Sequence, residues 1–112
     1  MELSAQELCQ WFESNLNTAM FIQKKEQGDL DQIELEVREV ALLQQNETFD
    51  EYMPSLAIVL KGIGTIRNED GEKVRLPEDY YEIPLHGLSS GIQEAGKIQI
   101  TTDRAHYTIQ PQ

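Results

Sequence analysis

A helical period of apolar residues opens the chain. From Leu8 onward, apolar side chains recur every three or four positions with polar residues between them, which is typical of a helix that buries one face. Ser4 and Glu7 match a capping box, in which the side chain of each residue bonds to the backbone amide of the other. The pattern therefore predicts an amphipathic helix over residues 5–16.

Residues 18–25 follow this helix without a decisive pattern. They fit either an extension of the helix or a strand, and the Asn and Thr residues at positions 15, 17 and 18 favour a helix end. We therefore place a first strand at residues 19–25 and keep the helical alternative open. A glycine-containing turn signal at residues 27–29 ends this segment.

Strict alternation of apolar and charged residues marks the next strand. From residue 33 to residue 38 the apolar side chains occupy the odd positions, so they face a core while the charged side chains face water. The phase slips afterwards, because Val40 and Leu42 are apolar at even positions. A β-bulge near Arg38 and Glu39 would restore the inward phase, and a short helix over residues 39–45 is the alternative.

A continuous apolar run at residues 56–60 lies within the clearest strand, Ser55–Arg67, which follows a polar loop at residues 46–54. Such a run predicts burial on both faces, and hence a central strand with a helix over one side. Gly62 and Gly64 share one side of this strand. Their lack of a side chain would admit a neighbouring backbone, an aromatic ring or the helix, or would permit a bend.

Turn and proline signals divide the following segment. Asp70 and Gly71 predict a hairpin turn, followed by an antiparallel return at residues 73–76. Residues 80–85 predict a further strand, and the prolines at positions 77 and 84 favour an edge position for it. Because consecutive strand residues point to opposite faces, we expect one of Tyr80 and Tyr81 to be exposed and the other to be buried.

Loop and strand signals complete the chain. Three glycines and two serines in residues 86–96 predict a loop, and alternation at residues 97–102 and 105–110 predicts either one interrupted strand or a last hairpin. One helix followed by strands places the chain in the α+β class. We expect a single globular domain over residues 1–112, with one N-terminal amphipathic helix packed on a twisted, mainly antiparallel sheet of about five or six strands.

The negative charge is concentrated in one stretch. The formal net charge is −11, and residues 26–51 hold nine carboxylates against a single cation, Arg38. Such a field repels nucleic acids and anionic membranes and attracts basic partners, so we expect binding to neither nucleic acid nor membrane. If the strand at residues 33–38 lies at a sheet edge, its carboxylates would also discourage strand addition.

Motifs for cofactors and for export are missing from the sequence. Cys9 is the only cysteine, so no internal disulfide can form. Residues 1–20 lack the pattern of a signal peptide, and no apolar run reaches the length of a membrane span, so we expect a cytoplasmic protein. The sequence has no metal-ligand spacing, phosphate-binding fingerprint or nucleophile motif, and we expect no cofactor.

Our first functional hypothesis is a non-enzymatic protein-interaction module that meets a basic partner through an acidic face. An inhibitor, immunity or antitoxin-like role fits this charge, because electrostatic steering speeds association with a basic protein. An exposed tyrosine at a sheet edge would be a suitable anchor for such a contact. The predicted partner-binding residues are Glu34, Glu36, Glu39, Glu47, Asp50, Glu51 and Tyr80.

The alternative hypothesis is a small-molecule-binding protein or a minor enzyme with a pocket between the helix and the sheet. Gly62 and Gly64 would border this pocket, His86 would lie beside it, and the loop predicted at residues 86–96 would close over it as a lid. Under either hypothesis we expect a monomer or a homodimer.

Overall fold

The computed structural model describes residues 2–45, 55–67, 71–88 and 90–112. This part of the chain contains one α-helix, eight strands and a short 3-10 turn, which we call the edge turn. Their bounds are α1 (Ala5–Glu13), β1 (Ala19–Glu26), β2 (Asp29–Gln45), β3 (Ser55–Arg67), β4 (Lys73–Arg75), the edge turn (Pro77–Asp79), β5 (Tyr80–Pro84), β6 (Ser90–Glu94), β7 (Lys97–Thr101) and β8 (His106–Pro111).

The helix α1 begins where the capping box predicts but ends three residues early. Ser4 N donates to Glu7 Oε1 at 3.0 Å, and Glu7 N donates to Ser4 Oγ at 3.2 Å. At the other end, the Asn15 side chain donates to the carbonyl four residues before it at 2.8 Å, and Asn17 takes a left-handed conformation with φ 63°. These polar contacts end the helix at Glu13 rather than at residue 16.

The strands form one sheet in which every pair is antiparallel. The strand order is β4-β3-β2-β1-β8-β7-β6, and β5 also pairs with β3. Because β2 occupies the whole of one edge of β3, both β4 and β5 lie along its other edge. The α+β class is thus confirmed, but the sheet has eight strands rather than five or six.

The prediction of a loop at residues 86–96 was wrong, and so was the lid that we assigned to it. Within this segment Ser90–Glu94 forms β6 and pairs with β7 through a two-residue turn at Ala95 and Gly96, with φ 53° and 78°. Gly91 marks close packing here rather than a loop, because an added Cβ would lie 3.1 Å from Leu8 Cδ1. The final hairpin, β7–β8, is confirmed as one of the two alternatives.

The long strand β2 is continuous and internal. Its register with β3 shifts between Val37 and Glu39, which confirms the bulge and rules out the short helix at residues 39–45. It pairs with β1 on one side and with β3 on the other. The suggestion that its carboxylates protect a sheet edge was therefore wrong, because β2 has no open edge along the paired residues. The interpretation of residues 19–25 as a strand is confirmed by β1.

The two glycines of β3 leave the space that the backbone of the neighbouring strand β2 occupies. An added Cβ on Gly62 would collide with the backbone carbonyl oxygen of Glu36, and one on Gly64 would collide with that of Glu34. Both glycines thus let the β2 backbone lie against β3, which was one of the alternatives that the sequence left open. The edge position predicted for residues 80–85 is also confirmed, because β5 pairs only with β3 among the described strands.

One face of the sheet, which we call the inner face, packs with α1 into the hydrophobic core. Leu8 and Phe12 of the helix are fully buried. The sheet contributes inward residues from every long strand, which include Met20, Ile22, Ile33, Leu35, Ile58, Leu60, Ile98, Ile100 and Ile109. No helix in the described ranges has the length and apolar character needed to cross a membrane.

Candidate interaction site

A cleft of about 370 Å³, which we call the edge cleft, opens at the sheet edge formed by β4, the edge turn and β5. Its apolar lining comes from Ile66, Leu76 and Tyr81, and its polar rim includes Glu78 and Glu82. This volume falls within the range of sites that hold small molecules or single anchoring side chains. The edge cleft is therefore the first place to look for a binding function.

The edge cleft runs beside β5 rather than over one of its faces. Tyr80, Tyr81 and Glu82 all line it, although consecutive side chains of a strand point to opposite faces. Tyr81 packs against the core, whereas Tyr80 is 39% exposed. This division confirms the exposed tyrosine predicted from the alternation, whereas Tyr81 is partly rather than fully buried.

The edge turn, which borders the cleft through Glu78, has an unusual backbone conformation. Glu78 and Asp79 both lie in the left-handed region, with φ 54° and 55°, at a cost of about 1–3 kcal/mol for each residue without special stabilisation. The Arg75 guanidinium donates to Asp79 through Nε at 3.2 Å and Nη2 at 3.0 Å. This contact through two guanidinium nitrogens joins β4 to the edge turn, and it pairs the positive charge of Arg75 with Asp79.

The carboxylates of the cleft rim remain unneutralised. In the ranges that the structure describes, no cationic side chain lies within ion-pair distance of Glu78 or Glu82. Arg75 also lines the cleft, but its charge is engaged by Asp79. The edge cleft thus combines an apolar floor with a rim that favours a positive charge.

Two tyrosines that point to the inner face, Tyr81 and Tyr107, have carboxylates nearby. Burial raises the pKa of Tyr81 well above its usual range, and Tyr107, Asp31 and Glu26 add to the shift. Burial, with Glu26 as the next cause, also raises the pKa of Tyr107 to about 12. Both phenols therefore stay protonated further into the alkaline range than an ordinary tyrosine. Tyr81 also lines the edge cleft.

Three of the acids predicted to bind a partner are already paired within the chain. Glu34 contacts Lys73 at 3.3 Å, Glu36 contacts Arg38 at 3.5 Å, and Glu39 contacts Lys61 at 3.8 Å. All six side chains are partly exposed, so each pair stabilises the fold by only about 0–1 kcal/mol. These acids therefore lie on a surface of mixed charge rather than on a purely acidic one.

The remaining predicted partner residues divide between the rim and the undescribed segment. Tyr80 lies on the rim of the edge cleft next to Glu82. Glu47, Asp50 and Glu51 lie outside the described residues. The structure therefore brings one predicted residue to the cleft, Tyr80, and places Glu34, Glu36 and Glu39 on β2, which is separated from β4 and β5 by β3.

The residues of the predicted pocket are not brought together. Gly62 and Gly64 lie against the β2 backbone. His86 follows β5, and its neighbour Leu85 donates to Leu56 O at 2.8 Å, which is six residues from Gly62, or roughly 20 Å along a strand. The His86 ring instead faces Asp103, with Nε2 3.9 Å from Oδ2.

Sequence reasoning missed Glu78 and Glu82 on the rim and the acids beside the tyrosine pair. The run of two acids and two tyrosines at residues 78–81 was a usable signal for the rim. Glu26 and Asp31 could have been found from strand parity, because they stand in the same inward phase as Ile22 and Ile33. A polar residue at an inward position of a strand is informative, because apolar residues usually occupy such positions.

The fold and the edge cleft define a small α+β protein with one helix on an antiparallel sheet. A family model described as YmzB-like protein matches residues 1–112, and the chain belongs to this family. A relative from Bacillus subtilis (strain 168), named "Uncharacterized protein YmzB", is 41% identical over 109 residues, which cover 92% of this chain and 91% of the relative. No solved structure matches the chain.

Proposed function

We propose that this protein is a non-enzymatic interaction module of the cytoplasm, and that it binds a basic partner protein at the edge cleft. The observation that carries the proposal is the pairing of an apolar floor with two rim carboxylates, Glu78 and Glu82, that have no cation beside them in the described structure. A lysine or arginine side chain next to an apolar residue has the chemistry to fill such a site.

The aromatic residues of the cleft suit a protein contact. Tyrosine is enriched among the residues that dominate binding energy, because it offers a large rigid area and a polar tip. Tyr80 is exposed at the rim and Tyr81 forms part of the wall. Together they would supply contact area, while the two carboxylates would select a positive charge.

The acids of β2 have a secondary part in this proposal. Glu34, Glu36 and Glu39 already contact cations of the chain, so a partner would have to displace or share those contacts. The net charge of −11 nevertheless provides a long-range field that steers basic proteins toward this one. An inhibitor, immunity or antitoxin-like role is consistent with fast, salt-sensitive association of this kind.

A comparison of two double variants tests the proposal. The immobilised protein is incubated at low and at high salt with a lysate of the cells that encode it. The retained proteins are identified by mass spectrometry. We expect a basic protein to be retained at low salt and to be lost with E78Q/E82Q. The matched control, E34Q/E36Q, removes the same charge from the β2 surface and should retain it.

Two results would contradict the proposal. One is that no basic protein is retained at low salt. The other is that E78Q/E82Q and E34Q/E36Q weaken retention equally, because net charge rather than the edge cleft would then explain the contact. Circular dichroism of both variants checks that each remains folded.

A small organic cation is the second candidate occupant, because the cleft volume of about 370 Å³ suits a ligand of that class. The alternative retains the idea of a small-molecule-binding protein but moves it from Gly62 and Gly64 to the sheet edge. A thermal-shift screen of amines against matched carboxylates would distinguish it. Stabilisation by an amine that is absent in E78Q/E82Q would support it.

A further inference from the structure

We infer that the basic partner segment binds as an added β-strand along the open edge of β5. This inference rests on the proposed function and specifies how the cleft is used. Strand addition to an exposed sheet edge is a common mode of peptide recognition, in which main-chain hydrogen bonds supply affinity and side-chain pockets supply specificity. The register of β5 shows which of its backbone groups are available.

The hydrogen-bond pattern of β5 follows from one contact and the antiparallel register. Leu85 N donates to Leu56 O at 2.8 Å, and Pro84 stands opposite Ala57, so Leu85 and Leu56 form a hydrogen-bonded pair. Such pairs alternate along an antiparallel ladder. Ile83 and Tyr81 therefore bond to β3, whereas the backbone groups of Glu82 and Tyr80 point away from it.

The outward groups of Tyr80 and Glu82 form a short template for another strand. Within the described ranges, β3 is the only strand that pairs with β5, and no backbone hydrogen bond joins Tyr80 or Glu82 to any other segment. Two N–H groups and two C=O groups of β5 thus point away from β3 at the edge of the sheet. Pro84 ends the series of donors, because proline has no N–H.

The position of the edge cleft determines which side chains an added strand would carry. Beside β5, residues of the new strand that point to the inner face would meet Tyr81 and Leu76. Those that point to the opposite face would lie beside Glu82, where cross-strand pairing favours a cation. An alternation of apolar and basic residues is therefore the pattern that this edge selects.

The same charges disfavour a second copy of this chain as the occupant. Pairing of two β5 strands would bring together two edges that each carry the carboxylates Glu78 and Glu82, which are unpaired within the described residues. Like charges on neighbouring strands are destabilising, and each copy has a net charge of −11. The edge thus opposes pairing with itself and remains open to a basic segment.

The test uses a defined probe, the acetylated and amidated hexapeptide Lys-Val-Lys-Val-Lys-Val, with Glu-Val-Glu-Val-Glu-Val as its control. Binding is measured by calorimetry, and NMR hydrogen exchange follows the amides of Tyr80 and Glu82. We expect the lysine peptide alone to bind and to slow exchange at these two amides. Because exchange requires solvent access to the N–H, protection there reports the new backbone hydrogen bonds.

Backbone methylation of the probe makes the test specific for a strand. One variant peptide carries N-methyl groups on its lysines and another carries them on its valines. Only alternate amides of an added strand face β5, so one variant should bind at least about tenfold more weakly than the other. A charge reversal, Glu82→Lys, should transfer binding to the glutamate peptide.

Each other outcome overturns one or both of the proposals. If the lysine peptide binds and E78Q/E82Q abolishes binding, but both methylated peptides bind equally well, the strand mode is wrong and the basic-cleft proposal stands. Protection of amides in β6 or β4 instead of β5 also overturns the strand mode. If the lysine peptide does not bind at all, both the strand mode and the cleft as a site for basic segments are wrong.

Discussion

At the scale of single residues, the glycines of β3 have a structural cause that can be tested. Gly62 leaves no room for a Cβ, because the carbonyl oxygen of Glu36 occupies that place. A backbone carbonyl in the middle of a paired strand cannot move as a flexible side chain can. The position therefore tolerates glycine alone without distortion of the β2–β3 pairing.

We predict that Gly62→Ala lowers the free energy of unfolding by about 3 kcal/mol, because the overpacked strand pair must separate. Chemical denaturation monitored by circular dichroism measures the change. Thr65→Ala on the same strand is the control, since Thr65 is partly exposed and its truncation adds no atom. A loss for Gly62→Ala no larger than that for Thr65→Ala would contradict the role given to the glycine.

Ion pairs between residues distant in the sequence explain why the acidic stretch at residues 26–51 predicted the candidate site only in part. Two of the cations that approach its carboxylates are distant in the sequence, namely Lys73 beside Glu34 and Lys61 beside Glu39. Charge counts along the chain cannot include such neighbours. The rim acids Glu78 and Glu82 belong to a less acidic part of the sequence, yet they have no cation beside them in the described structure.

At the scale of elements, short sequence patterns predicted correctly those features that depend on neighbouring residues. The capping box of α1, the strand Ser55–Arg67 and the bulge of β2 all follow from short patterns in the sequence. The failures were at β6 and at the end of α1. Composition favoured a loop at residues 86–96, whereas pairing with β7 and packing of Leu8 over Gly91 made residues 90–94 a strand.

We predict that Ser4→Ala lowers the free energy of unfolding by about 1 kcal/mol, because the amide of Glu7 loses its hydrogen-bond acceptor. Thermal unfolding followed by circular dichroism measures the effect. Gln6→Ala is the matched control, because this exposed helical residue takes no part in the capping box. Equal stability of the two variants would show that the capping box contributes nothing measurable.

At the scale of the whole molecule, the order of strands brings together groups that are distant in the chain. Tyr81 of β5 and Tyr107 of β8 lie on strands that are not adjacent in the sheet. The negative charge of Glu26 on β1 nevertheless contributes to the raised pKa of each. Because both pKa values are raised in the folded protein, the folded state holds these two phenolic protons more tightly than the unfolded chain does. This difference gives a prediction for alkaline conditions.

We predict that stability falls as the pH rises from 10 toward 12. Tyr107 has a folded-state pKa of about 12 against an ordinary value of 10.0, so its contribution is fully present below pH 10 and is lost as the pH rises through the folded value. The loss for this group amounts to at most about 3 kcal/mol. Denaturant unfolding at a series of alkaline pH values measures it.

Tyr107→Phe should make this pH dependence shallower but not remove it, because phenylalanine does not ionise whereas Tyr81, whose pKa is also raised, still does. Tyr80→Phe is the control, since Tyr80 is exposed at the sheet edge and the variant should keep the slope of the native protein. The part of the phenolate absorbance of the native protein that comes from Tyr81 and Tyr107 should appear only above pH 10. Complete ionisation of all four tyrosines near pH 10 with the fold intact would contradict the prediction.

The sequence by itself determined the class of the fold, the helix start, the long alternating strands and the exposure of one of two neighbouring tyrosines. Each of these depends on contacts within a few residues or on the period of a single element. The tertiary structure alone decided the strand count, the internal position of β2, the distant cations Lys61 and Lys73 beside its acids, and the edge cleft. Those features depend on which strands meet, and pairing between distant segments leaves little trace in the pattern of either segment alone.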